Sequence, residues 1–227
     1  MRVGIHISQE REIIRFVQGV LRKQVWVMIA LGLAAVALLI IFVFMAPPPR
    51  EQLAVGTVQT PTSNGSGFLV ASGLVLTTAR VVGSQSEATV SLADGPSVTG
   101  RVLFSDPEAD IALVQVQGLG SALIPLPLGD SEAIAEDEKL VIVGYPGGSY
   151  SQTSARLTAR ASSKLTTDSP SNPGNSGGPL LRALDKTVVG IVGSTREMGS
   201  PNDEGRHWAV PIDLVKKICR SRQYPID

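Results

Sequence analysis

Asn172-Pro173-Gly174-Asn175-Ser176-Gly177-Gly178-Pro179-Leu180 sets one serine hydroxyl among glycines, with a proline on either side. Such a setting suits nucleophilic catalysis. The N–H groups of Gly174 and Ser176 can converge on one point and hold the oxyanion of a tetrahedral intermediate. A turn of that kind needs φ > 0, which glycine adopts without a Cβ penalty. Gly177 and Gly178 leave room for a substrate backbone beside the hydroxyl. Composition alone also allows a plain Gly/Pro/Asn-rich hairpin loop that only reverses the chain.

Two stretches further out, in the right order, favour the catalytic reading. One is Gly65-Ser66-Gly67-Phe68-Leu69-Val70 running into Leu76-Thr77-Thr78-Ala79-Arg80-Val81-Val82, and the other is Asp106 through Asp110-Ile111-Ala112-Leu113. With the specific run from Thr167-Asp168 to Leu180, they resemble the protease domain of the HtrA/DegP family, a membrane-linked branch of the trypsin-like fold. The resemblance extends from about Val55 to about Cys219. It implies an all-β, chymotrypsin/trypsin-like fold of two six-stranded antiparallel barrels, with the active site in the cleft between them. In the family the first motif reads Leu-Thr-x-x-His-Val-Val, so Arg80 stands at the place of the catalytic histidine.

The order along the chain in this fold is base, acid, nucleophile. The resemblance gives Asp110 the second role and Ser176 the third, with Arg80 as a degenerate base position. It makes the N–H groups of Gly174 and Ser176 the oxyanion hole. It also puts Pro170 near the floor of the specificity pocket and Gly193, Ser194 and Thr195 along one wall. None of these is acidic, so a bound side chain should be small or apolar.

Arg80 cannot act as its position implies. A general base takes the serine proton near neutral pH, whereas a guanidinium, far more basic than an imidazole, stays protonated there. Losing the base in a comparable enzyme costs about six decades in rate, roughly 8 kcal/mol of transition-state stabilisation. Arg80 should instead form a charge-assisted pair with Asp110. No other residue is an evident substitute. His6 is expected across the membrane, and His207 lies in the last strand, beside the specificity pocket. Lys164 is near the nucleophile loop in sequence, but nothing in the sequence sets its amine against Ser176. Asp203, Glu204 and His207 are conceivable metal ligands, yet loop-typical residues with one histidine make a poor site. No metal or cofactor is expected.

Composition narrows the alternatives. The 227 residues carry 20 basic and 20 acidic side chains, which argues against a dedicated nucleic-acid binder. Few aromatics and many Gly and Pro residues suit an all-β chain rich in turns. Cys219 is the single cysteine, so no internal disulfide framework exists. It lies on an apolar helical face and reads as a packing residue.

From Val25 to Ala46 no side chain is charged. At about 1.5 Å per residue this run reaches about 33 Å, enough to cross a bilayer core. It is long for a signal peptide, and Pro47 suits a cleavage site badly, so an uncleaved anchor is expected. The basic flank with Arg15, Arg22 and Lys23 precedes it, which sets the N-terminus in the cytoplasm and the remainder in the periplasm or its equivalent. Residues 1–24, with Ser8 as an N-cap, read either as an interfacial helix or as a continuation of the span. Residues 47–54, opening with Pro47-Pro48-Pro49-Arg50, read as a stiff linker, and residues 55–227 as the globular domain.

Short β-patterned segments follow at 67–71, 74–78, 88–93, 98–104, 111–116, 140–143, 156–165 and 187–194. They are punctuated by Asn64-Gly65, Asp94-Gly95 and Gly147-Gly148. Pro211 through Arg222 reads as a closing helix, with Asp213 at its start and Lys216, Lys217 and Arg220 towards its end. No peptide-recognition PDZ domain follows, so regulation through one is not expected. Two functions remain. One is a pseudoprotease that binds polypeptide or a partner protein; the other is an HtrA-type serine endopeptidase with weak or unusual-base activity. Family relatives also make a homotrimer an expectation.

Overall fold

The computed structural model describes residues 3–45, 48–92, 95–119, 123–170, 172–193 and 206–226. The chain divides into two units, Met1–Pro47 and Pro48–Asp227. The first is a single helix, α1 (Val3–Met45). Its segment Gln18–Phe42 has a mean hydropathy of 2.9, and it is long and apolar enough to cross a membrane. Because α1 runs unbroken from Val3, Ser8 lies inside the helix and is not its N-cap.

Among the described residues, apolar side chains at alternate or consecutive positions build the second unit from twelve strands. The first six are β1 (Val55–Gln59), β2 (Asn64–Ala71), β3 (Leu74–Thr77), β4 (Glu87–Leu92), β5 (Val98–Asp106) and β6 (Ile111–Gln115). They close antiparallel in the order β1-β2-β3-β6-β5-β4. The second six are β7 (Lys139–Gly144), β8 (Ser151–Ala161), β9 (Lys164–Pro170), β10 (Pro179–Arg182), β11 (Val188–Val192) and β12 (Arg206–Pro211). They close as β10-β11-β12-β9-β8-β7. Two closed barrels leave no open sheet edge, and this is the architecture that the motifs imply.

Phe68, Leu76, Ile111 and Leu113 are fully buried in the first barrel, and Leu140, Ile142, Leu157 and Leu165 in the second. Each side chain of that size contributes roughly 1.5–3 kcal/mol on burial. A short helix, α2 (Arg50–Ala54), enters the first barrel, and Arg50 donates to the carbonyl of Pro125. Arg50, read as the end of a spacer, thus opens a helical turn. A further turn, α3 (Ala79–Val82), follows β3, and α4 (Ile212–Ser221) closes the chain. Cys219 is fully buried on α4, and burial pushes its thiol pKa up to about 11.

Three local readings are corrected. Arg156–Leu165 is not one strand, because the chain turns at Ser162 and Ser163 between β8 and β9. Asn64 and Gly65 belong to β2, and the preceding turn is instead closed by the N–H of Thr60 on the carbonyl of Ser63. Pro211 is the N-cap of α4, which begins at Ile212.

Candidate active site

Arg80 lies on the single turn α3, and Asp110 at the tight connection between β5 and β6. Asp110 has φ 54°, in the left-handed region that aspartate tolerates better than most residues. The Arg80 backbone N–H donates to Oδ1 of Asp110 at 3.2 Å. Its Nε and Nη2 both donate to Oδ2, at 3.1 and 2.7 Å. The Asp110 side chain is 10% exposed and that of Arg80 42%. The pair is therefore half in solvent, on the cation's side.

The nucleophile turn is fixed mainly through its carbonyls. The N–H of Asn175 reaches the carbonyl of Asn172 at 3.1 Å, with Pro173 and Gly174 between them. Proline followed by a residue at φ 100° is the signature of a type II turn, and only glycine holds that φ cheaply. Ser66 then ties the turn to its surroundings. Its N–H donates to the carbonyl of Ser176 at 2.8 Å, and its Oγ donates to the carbonyl of Gly174 at 2.6 Å. The same Oγ accepts the N–H of Tyr145 at 2.9 Å. The N–H groups of Gly177 and Gly178 reach the carbonyls of Val192 and Asn175. Among the described residues, those of Gly174 and Ser176 meet no acceptor.

Gly65 marks where the two parts of the site meet. A Cβ there would lie 2.4 Å from a methyl of Val81 and 2.7 Å from the carbonyl oxygen of Ser176. The turn carrying Arg80 and the turn carrying Ser176 thus pack on one glycine, one from each barrel. Beside them lies a cleft of about 270 Å³, lined by Thr57, Gln59, Asn64, Tyr145 and the glycines 65, 147, 148 and 174.

Trp208 completes the arrangement, and the sequence reading gave it no role. A register shift in β12 between Arg206 and Trp208 re-aims the strand at this point. The guanidinium carbon of Arg80 lies 5.5 Å from the centre of the indole, and the amine of Lys164 lies 5.4 Å from it. Both are within range of cation–π attraction. The indole also covers Gly193, where a Cβ would come within 2.6–2.8 Å of three ring atoms. Only glycine fits below the ring. A tryptophan set directly before the small and aliphatic residues Ala209 and Val210 was the available signal.

Pro170 pairs with Arg206 at the end of β9, while Ser194, Thr195, Asp203 and Glu204 lie outside the described residues, as do the side chains of Pro170, His207 and His6. Asn175, next to the serine, is 1% exposed, and both polar atoms of its amide lack a partner among the described residues.

Residues 65–191 match the trypsin-like peptidase domain family. The chain belongs to the HtrA branch of that family. It is 36% identical over 185 residues to the Synechocystis sp. protein that carries the name serine protease HhoA, covering 75% of this chain and 44% of that one. Serine protease HTRA1 of Xenopus laevis is 33% identical over 174 residues, 70% of this chain and 36% of the relative. This HtrA-type chain therefore spans less than half the length of these relatives. Among solved structures, the HtrA-type protease AlgW with tripeptide superimposes with a TM-score of 0.67 at 27% identity, covering 76% of this chain and 60% of that one.

Proposed function

We propose that the chain is a membrane-tethered HtrA-type domain that binds polypeptide segments or a partner protein without cleaving them efficiently. The observation that carries this reading is the hold of Arg80 on Asp110. By the family motif, residue 80 stands where the general base belongs, and Asp110 where its orienting carboxylate belongs. A guanidinium accepts no proton at neutral pH, so Ser176 has no base at hand and its hydroxyl is a poor nucleophile. In this reading the N–H groups of Gly174 and Ser176 form the oxyanion hole, and Pro170, Gly193, Ser194 and Thr195 border the specificity pocket. The tripeptide carried by AlgW supports polypeptide as the ligand class.

The proposed layout has residues 1–24 in the cytoplasm, 25–46 in the membrane, a connecting segment at 47–54 that ends in α2, and the exported domain at 55–227. The basic residues before the apolar run support this direction. A reporter fused after Asp227 should be active only if it works in the exported compartment.

A second reading, serine endopeptidase, is favoured by the open N–H groups beside Ser176. A serine-directed phosphonate probe on the full-length chain in detergent separates the two. No labelling of Ser176 is expected, and stoichiometric labelling that Ser176→Ala abolishes would establish the enzyme.

A further inference from the structure

We infer that Arg222 is a positioning residue for the site: from the tail behind α4 it holds the β5–β6 turn, and so sets where Asp110 stands. The inference goes beyond the binding reading above and does not depend on it. Asp110 belongs to the turn 107–110, which leaves the strand ladder after Asp106 has paired with Ile111. One carboxylate organises that turn. Oδ1 of Asp106 accepts the N–H of Ala109, the residue before Asp110, at 3.1 Å. Oδ2 of the same side chain accepts Nη2 of Arg222, also at 3.1 Å. The bond that shapes the turn and the bond that ties it to the tail thus share one side chain.

The tail is itself well placed. Arg222 is the C-cap of α4, and Gln223 then turns the chain at φ 65°. The N–H of Tyr224 donates to the carbonyl of Cys219 at 2.9 Å, and its ring stacks on Phe104 with centroids 6.2 Å apart. The guanidinium carbon of Arg222 lies 5.6 Å from the centre of that same Phe104 ring, within cation–π range. Phe104 and Asp106 stand two apart on β5, hence on one face, and Arg222 meets both. Beyond them Ile226 is buried in the core that includes Phe104.

The Arg222 side chain is 48% exposed and that of Asp106 18%, so water screens the pair and it contributes little to stability. Its consequence is geometric. Asp110 stands at φ 54°, a conformation that persists only where several contacts fix it. Arg80 fixes it from α3, and the Asp106 bond to Ala109 fixes it from β5. Without Arg222, Asp106 is free to turn away from Ala109, and Asp110 keeps only one of its two supports. A change at the tail therefore reaches the carboxylate of the site.

The test reads the Arg80 Nε–H, which donates to Asp110 at 3.1 Å, by nitrogen–proton NMR of the full-length chain in detergent micelles. Its signal is assigned by its loss in Arg80→Lys. In Arg222→Gln its exchange with water should quicken by about threefold or more, and its resonance should move towards that of a free arginine. Arg222→Lys keeps the charge and should restore most of the protection. Asp106→Asn keeps an oxygen for Ala109, presents no charge to Arg222 and leaves the sequence of α4 and the tail intact. It should act like Arg222→Gln, and it decides the matter if that variant does not fold. Lys217→Gln, an exposed change on α4, is the control and should leave the signal in place. An unchanged Arg80 signal in folded Arg222→Gln would overturn the inference, even with a lowered urea midpoint, since the pair would then be only structural. Failure of Arg222→Lys to restore the signal, or an equal change in Lys217→Gln, would overturn it too.

Discussion

Arg80 grips both oxygens of Asp110, one through its backbone N–H at 3.2 Å and the other through Nε and Nη2 at 3.1 and 2.7 Å. The side-chain bonds converge on a single oxygen, so the guanidinium is held at one edge while the backbone bond fixes the carboxylate from α3. The two kinds of bond separate on mutation, because the backbone donor survives any substitution at residue 80.

Arg80→Ala should therefore destabilise the domain without unfolding it. Asp110 loses its counter-charge but keeps one N–H, and the half-exposed cation was partly screened by water. A cost of about 1–3 kcal/mol is expected. In urea the midpoint should fall with an unchanged slope. An unchanged midpoint would mean that the pair contributes nothing to stability.

Arg80→His tests the chemistry. An imidazole at residue 80 can be oriented by Asp110 and can accept the Ser176 proton. Hydrolysis of casein or of an activated ester should appear above the wild-type level and vanish in Arg80→His/Ser176→Ala. Recovery should be partial, since near-attack geometry is sensitive to shifts of about 1 Å. Strong wild-type cleavage abolished by Ser176→Ala would sink the non-cleaving reading outright.

Gly193→Ala should disturb Trp208 more than any other single methyl group near the site. The new carbon would sit 2.6–2.8 Å from the indole, so the ring must move. Overpacking of this sort costs about 1–3 kcal/mol. With Trp26→Phe in the background, Trp208 emission should shift. Unchanged emission would place the ring elsewhere.

Asp213 supplies a pH-dependent contribution. Burial pushes its pKa up, but hydrogen bonds from the hydroxyl and N–H of Ser131, both at 2.6 Å, and the nearby Lys216 outweigh it, so the net direction is down. A depressed carboxylate stabilises the fold above its unfolded pKa, and that contribution is lost as pH falls through the lower folded value. Ser131→Ala should thus cost about 1 kcal/mol near pH 7 and much less near pH 2. Parallel stability curves for the two proteins across that range would contradict it.

Cys219 should react with a maleimide only when the domain opens. Its thiol is fully buried, and its pKa is raised to about 11, so little thiolate exists at neutral pH. As the single cysteine it makes labelling a direct readout of unfolding. Fast labelling under native conditions would show that α4 is not docked.

The barrels were legible because glycine-serine motifs and alternating apolar runs carry local signals. Ser176, Asp110 and Arg80 were legible for the same reason, each standing at a fixed place in a short motif. β1 and β10 were missed. Val55-Gly56-Thr57-Val58-Gln59 is broken by a glycine, and Pro179-Leu180-Leu181-Arg182 is too short to show a period. The turn at Ser162-Ser163 was hidden because serines interrupt a strand pattern only weakly. Trp208 was illegible as a neighbour of Arg80, since a contact across barrels depends on closure of both and on the bulge in β12.

Each barrel is contiguous along the chain, which gives the molecule a history as it is made. Gly56 pairs with Leu92 to close the first, and Leu180 pairs with Ile142 to close the second. Domains generally complete themselves in order of synthesis, so the first barrel can shut while the second is still emerging. Arg80 and Asp110 both belong to the first. Arg80 and Asp110 are thus both synthesised before Ser176, and the pair can form before the serine has been delivered.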